Sequence, residues 1–286
     1  KKANFELKKV EQNVIFDSVS VYLDLIYKTK SKKFNLANVD LFERQVESDS
    51  TRVQRGEITL TDLAQSESSL AGAKANYIMS ETELLSTIAN FERIIRTSVP
   101  EKIEETLGLN ISLPSSLVKA LKISGENNPK LIIAQLDYEI SKRNLKIEKG
   151  ELSPSASINY SKSEIRDFSS TVDQTDKESV KATITWPIIK GGKNYSSIKK
   201  HRLKKEQSNL ILQDKKNEVN TDTANAWSLY QSAEGVLKAT ESQVKAAEIA
   251  NEGITLEYDS GNTRTTLEVV QSRSLLLNAR IAHAKA

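Results

Sequence analysis

No cysteine occurs among the 286 residues, which excludes thiol catalysis, paired-cysteine metal sites and disulfide scaffolds together. Only two histidines are present, His201 and His283, and they are too far apart in sequence for the short spacings of a metal-binding helix or strand. No nucleophile–base constellation, phosphate-cradling loop or cofactor motif accompanies them, so the chain does not read as an enzyme and no cofactor or metal is expected. Charge of one sign is also lacking. The 41 Lys+Arg and 38 Asp+Glu leave a formal net charge of +3, too little for a nucleic-acid binder that relies on a broad basic field. No apolar run reaches the roughly 18 residues of a transmembrane helix. Lys1-Lys2-Ala3-Asn4 is not followed by the apolar segment of a signal peptide, so the chain is either cytosolic or a mature or trimmed piece. Ten glycines and five prolines are few for this length, and point to long helices rather than a sandwich or a doubly wound sheet.

The prolines fall at 100, 114, 129, 154 and 187, leaving 1–99 and 188–286 free of helix breakers. Each stretch has one conspicuous interruption, Arg55-Gly56-Glu57 in the first and Asp259-Ser260-Gly261-Asn262 in the second. Two helical hairpins are therefore expected, with arms of about 40 residues, roughly 60 Å long, that need support along their length. Residues 97–128 form a broken segment with a short helix at 116–124, and 130–149 read as a further helix ended by Gly150.

The period then changes from helical to two. In 155–161, Ala156, Ile158 and Tyr160 alternate with Ser155, Ser157, Asn159 and Ser161. In 180–186, Val180, Ala182, Ile184 and Trp186 alternate with Lys181, Thr183 and Thr185. Two strands joined by a polar, acidic stretch at about 164–178 are expected. One apolar and one polar face suit a half-buried soluble hairpin, and equally a transmembrane barrel hairpin with its apolar face to lipid and Trp186 in an interfacial girdle.

The chain also repeats itself. At an offset of 206, Thr59, Gln65, Ser66, Ser68, Leu70 and Ala73 meet Thr265, Gln271, Ser272, Ser274, Leu276 and Ala279, while Asp62, Leu63 and Lys74 meet Glu268, Val269 and Arg280. At an offset of 205, Val14, Asp17, Glu47 and Gly56 meet Val219, Asp222, Glu252 and Gly261, and Tyr22 meets Trp227. One residue is inserted between Gly261 and Arg264. A strand hairpin precedes only the second copy, so a first hairpin is expected N-terminal to Lys1, and a tail beyond Ala286. Leu63, Leu70, Tyr77, Leu84 and Phe91 recur every seven residues, each followed three residues on by Ser66, Ala73, Ser80, Thr87 and Ile94. Val269, Leu276 and His283 continue the pattern in the second copy, where His283 is expected to pack in the seam. Such a repeat imposes a left-handed coiled coil, either an ordinary cytosolic antiparallel one or an assembly of several chains into a bundle or tube.

Four motifs on this duplicated frame resemble the TolC family of bacterial outer-membrane efflux and secretion channels. Leu113-Pro114-Ser115-Ser116-Leu117 with Asn127-Asn128-Pro129-Lys130-Leu131 is similar to the family's inter-repeat link. Gly150-Glu151-Leu152-Ser153-Pro154-Ser155 and Trp186-Pro187-Ile188-Ile189-Lys190-Gly191-Gly192 are similar to its passages into and out of the barrel strands. Tyr258 to Val269 is similar to the turn at the far end of its tunnel. The resemblance implies a mainly α fold with a β-hairpin contribution: long antiparallel coiled coils forming a trimeric α-barrel, plus strands of a transmembrane β-barrel. The segments would be a first helical hairpin at 1–96, an equatorial segment at 97–128, a helix at 129–150, a transmembrane β-hairpin at 151–190 with its extracellular loop at about 164–178, and a second helical hairpin at 191–286.

The same resemblance implies a homotrimer in the outer membrane, its helices in the periplasm. It would be a passive conduit for small molecules or secreted proteins, receiving them from an inner-membrane transporter and a periplasmic adaptor, with outer-membrane lipid around its strands and no nucleic acid. Ala156, Ile158, Tyr160, Val180, Ala182, Ile184 and Trp186 would face the membrane. Thr61 and Asp62 on the first hairpin and Tyr258 and Arg264 on the second would hold a periplasmic gate shut, an Arg–Asp pair among them, with Glu268 and Gln271 in a constriction ring. Gln271 departs from the family, which often has an Asp there. The alternative is a periplasmic coiled-coil adaptor or scaffold, which two short strands are too few to serve as a soluble domain.

Overall fold

The structure, a computed structural model, describes residues 1–100, 102–104, 112–169, 171–186, 188, 191–260 and 264–286, with the side chains of 167–169 and 172–173 left aside. Gly108, Pro187, Ile189, Lys190 and the Gly261–Thr263 part of the second turn, where the inserted residue was expected, lie outside the described residues. The elements are α1 (Lys2–Gln54), α2 (Leu60–Ile95), α3 (Leu117–Asn127), α4 (Pro129–Gly150), β1 (Ser155–Ser169), β2 (Val172–Thr185), α5 (Lys193–Asp259) and α6 (Thr266–Lys285). They form two compact units, one of residues 1–7 with 118–223, the other of 8–117 with 224–286.

Of the arms lying wholly inside the sequence, α2 has 36 residues, near the expected 40, and α5 has 67. With no proline after 187, α5 meets nothing that removes a backbone donor until the second turn. At the first turn Gly56 adopts φ +73, a left-handed conformation that costs glycine nothing and any β-carbon something. The hairpins then restart identically. Thr59 accepts from the Asp62 N–H at 3.2 Å and Asp62 accepts from the Thr59 N–H at 3.0 Å. Thr265 and Glu268 do the same at 3.3 and 2.8 Å. These reciprocal caps sit 206 residues apart, so the duplication is written into helix-initiation chemistry as well as identity. At α4, the Asn128 side chain accepts from the Lys130 N–H at 2.9 Å ahead of Pro129, an N-cap with proline in the first turn.

In the unit containing most of the helical hairpins, the core is a narrow stripe. Val21, Leu25 and Phe91 are buried together, covered by Leu84, Ile88, Ile94 and Ile95. Further along, Val39, Phe42 and Ala73 are buried beneath Leu70, Tyr77 and Val270. On α2 the small seam residues Ser66, Ala73, Ser80 and Thr87 are buried while Leu63, Leu70, Tyr77 and Leu84 are half-buried, because small side chains let neighbouring backbones close in. The Tyr22 hydroxyl donates to the Glu104 carbonyl at 2.9 Å and accepts from its N–H at 3.1 Å, pinning 102–104 onto α1. In the other unit Ala120, Leu131, Ala134 and Val219 are buried, Lys2 pairs with Asp137 at 2.7 Å, and Lys130 lies 3.6 Å from both Glu218 and Asp222.

The same unit carries the antiparallel hairpin. Its pairs run from Ser155–Thr185 to Arg166–Gln174, with an irregularity before Ser169–Val172. Pairing therefore continues to Arg166–Gln174, inside the stretch 164–178 where the sequence predicts a loop. The apolar signal stops at Tyr160 and Val180, but the two-residue period does not: Lys162 pairs across to Glu178 at 3.0 Å, and opposite charges facing each other support a ladder as apolar pairs do.

Leu25→Ala removes a side chain with no exposed surface and is expected to cost about 2–5 kcal/mol, against about 1 kcal/mol for the exposed cap Thr59→Ala. Thermal melts followed by helical circular dichroism should rank them so; equal losses would contradict the stripe as the source of stability.

Candidate functional site

One carboxylate among the described residues has no exposure to solvent. Asp49, near the C-terminal end of α1, is 0% exposed, and a buried charge persists only where donors surround it. Three do. Gln45 Nε2, one turn back, donates to Oδ1 at 2.9 Å. Ser66 on α2 donates to Oδ2 at 2.5 Å. The Tyr258 hydroxyl on α5 donates to Oδ1 at 2.6 Å and contacts Thr266 Oγ1 on α6 at 3.0 Å. One carboxylate thus ties together all four arms of the two hairpins, at the turn end. The Arg52 guanidinium stacks over the Tyr258 ring at 4.4 Å, a cation–π contact that also brings positive charge beside the acid. Burial, then the hydrogen bond to Asp49, pushes the Tyr258 phenol up to about 12, so it stays a neutral donor throughout the physiological range.

Around this node the expected gate residues separate. Tyr258 is buried and bonded across to the first hairpin, but through Asp49 and not Asp62. Asp62 caps its own helix. Thr61 is exposed beside it. Arg264, expected to pair with Asp62, instead pairs inside its own hairpin: Nε to Glu257 at 2.6 Å and Nη1 to Glu268 at 2.9 Å. Those two carboxylates hold its guanidinium above the usual range. The correction is geometric, since Glu257 and Glu268 lie on the two helices that Arg264 connects and need no partner hairpin. Glu268 is therefore no free ring carboxylate: the Thr265 N–H, then Arg264, hold it below the usual carboxylate range. Glu268 and the exposed Gln271 do share a groove of about 310 Å³, with Ala247, Ala250, Ile254, Ser272 and Leu275. Behind the node, Arg273 reaches the Leu41 carbonyl at 3.1 Å, and burial lowers its ordinary value. His283 is half-buried, its Nδ1 3.2 Å from Thr240 Oγ1.

Asp49, Gln45 and Ser66 were not expected at the site. The repeat hides the first, because the node is where the copies differ: the offset matches Asp49 with Ile254 and Tyr258 with Val53, and Thr266 with Leu60. A signal existed in spacing. Asn35, Asn38, Phe42, Gln45 and Asp49 follow one another by three and four residues on one buried face of α1, and polar residues on such a face must be bonded.

The hairpin carries its expected face intact. Ala156–Ile184, Ile158–Ala182 and Tyr160–Val180 are direct partners on one side, with Ser155–Thr185, Ser157–Thr183 and Asn159–Lys181 on the other. The apolar members are uncovered, Ile158 at 76% and Ile184 at 78% exposed, and Trp186 follows at 63%.

Residues 122–286 match the family described as outer membrane efflux protein. The chain is 24% identical over 281 residues to the outer membrane efflux protein BepC of Brucella suis, covering 98% of this chain and 61% of that relative. It thus spans under two thirds of that protein. Among solved structures, the outer membrane protein VceC of Vibrio cholerae superposes with a TM-score of 0.82 at 16% identity, covering 99% of this chain and 68% of that one. The outer-membrane channel OprN gives 0.85 at 16% identity, with 99% and 64% covered. They share the fold.

Tyr258→Phe deletes one donor to a buried carboxylate and is expected to cost about 1–3 kcal/mol. Because the folded phenol value lies above the unfolded one of about 10, its contribution is complete below pH 10 and disappears as pH rises through 12. Stability measured between pH 9 and 12.5 should fall steeply in the unsubstituted protein and less steeply in Tyr258→Phe; parallel curves would remove the phenol from the node.

Proposed function

The chain belongs to the outer membrane efflux protein family, and on that premise we propose that it is the greater part of one subunit of a passive export channel. Its place is the outer membrane. Three copies would close their strand hairpins into one barrel, since lipid offers no partner to the free edges of a two-stranded sheet. The helices would form a hollow conduit in the periplasm. Large apolar side chains left uncovered along them, Phe16, Leu85, Leu229, Ile249 and Leu275 at 60% exposure or more, support association with further copies. An efflux family favours this over the adaptor or scaffold alternative. Small molecules or secreted proteins would arrive from an inner-membrane transporter through a periplasmic adaptor, and those partners would supply the energy.

The observation that carries the gating half of this reading is the Asp49 node. A closed end has to hold the second hairpin against the first yet yield to a partner. One carboxylate with three donors is stable while dry, and each donor has a solvated alternative once water enters. The Arg264–Glu257–Glu268 cluster would stiffen the second turn beside it, and Thr61 and Asp62 would stiffen the first. Glu268 and Gln271 would line the narrowing.

Planar-bilayer recording tests this. Asp49→Asn and Tyr258→Phe are expected to raise the conductance of the closed channel several-fold, and Arg264→Ser to raise it less. Unchanged conductance in Asp49→Asn and Tyr258→Phe, with the proteins inserted, would overturn the gate.

A further inference from the structure

Ten lysines and arginines stand against three glutamates in the two stretches that flank the β-hairpin, 142–151 at the end of α4 and 193–206 at the start of α5. The whole chain carries only +3, so this region is strongly basic and the remainder is net acidic. The stretches are neighbours in space as well as around the hairpin. Ser155 pairs with Thr185 at the hairpin foot, short links lead from there into both helices, and His201 Nδ1 on α5 lies 3.7 Å from Glu148 Oε2 on α4.

Nine of the ten cations are exposed, Lys205 being half-buried. Among the described residues only Lys142 has a carboxylate partner, Glu139 at 3.4 Å. Elsewhere lysines of this chain find close partners, Lys2, Lys28, Lys32 and Lys74 among them, at 2.7 or 2.8 Å. Helical spacing puts Lys142, Lys146 and Lys149 on one face of α4, and Lys193, Lys200 and Lys204 on one face of α5. Like charges so arranged repel unless an anion sits among them.

What borders the belt indicates which anion. On the hairpin side come Trp186 and Ile188, 63% and 75% exposed, and Tyr195, 76% exposed, stands at the start of the second stretch; Trp and Tyr are the side chains that settle at the headgroup level of a bilayer. Long basic side chains next to such a border are of the kind that lay their stems along apolar surface and carry their charge to phosphate.

We propose that this belt binds the anionic phospholipid headgroups of the periplasmic leaflet and so sets the height of the hairpin in the membrane. The inference rests on the membrane placement of the hairpin given above.

The full-length protein, reconstituted into phosphatidylethanolamine vesicles with a minority of phosphatidylglycerol, tests it through the lipids that stay bound on extraction, measured by native mass spectrometry. Phosphatidylglycerol should be enriched several-fold over its bulk share, and less so at high salt. The variant K142Q/K146Q/K149Q/K193Q/K200Q/K204Q should lose that enrichment while still inserting. The two triple variants, each with half the substitutions, give the same readout if the sixfold variant does not assemble. Enrichment retained in the substituted proteins overturns the proposal. So does an altered ion selectivity with unaltered lipid binding, which would put the belt in the pore. Failure of the unsubstituted protein to insert would instead sink the membrane placement, and the belt with it.

Discussion

A carboxylate with no water around it has to be answered by donors, and the donors that answer Asp49 come from three directions. Gln45 belongs to its own helix, Ser66 to the other arm of the same hairpin and Tyr258 to the second hairpin, with Thr266 steadying the phenol from the fourth arm. The caps and Arg264 are local, each cap closing on its own helix and Arg264 pairing within its own hairpin. The node, with Arg273 reaching the Leu41 carbonyl behind it, therefore couples the two hairpin ends. In the proposed channel, a partner that separates them would have to rehydrate Asp49. That is a concentrated event, unlike the gradual peeling of an apolar stripe.

A second constraint acts at the other end of the element list. Two strands leave two open edges, and their apolar face covers nothing among the described residues. Water would tolerate the edges but not reward the face; lipid would reward the face but not tolerate the edges. In the proposed channel both conditions would be met by further strands joining edge to edge with Ile158, Tyr160, Val180 and Ile184 outward. The serine- and threonine-rich opposite face, where Ser161 and Ser179 bond to each other at 2.7 Å, would then line the interior.

Much of this was legible from residue order. The paired caps Thr59–Asp62 and Thr265–Glu268 were visible as matched positions of a repeat, because a capping box is a local device that needs nothing beyond four consecutive residues. The strand faces were visible because alternation is set by the pleat itself. The outer half of the hairpin was missed for the converse reason: from Lys162 to Arg166 both faces are polar but for Ile165, which falls on the face opposite Ile158 and Tyr160, so hydropathy cannot see the alternation. The Arg264 partner was misplaced because Asp62, Glu257 and Glu268 are equally acidic in sequence, and only geometry ranks them.

The sequence by itself determined the kind of molecule: helices too long and too narrowly striped to stand alone, a duplicated hairpin and a two-faced strand pair. All of these follow from spacings of two, three, four and seven residues, which the backbone enforces without help. The tertiary structure decided where charge is buried and who answers it. Asp49 and Tyr258 are 209 residues apart, and no periodicity links them, since the repeat puts Ile254 and Val53 in their places. Contacts of that range depend on which helix faces cross, and faces cross only after the stripes have packed.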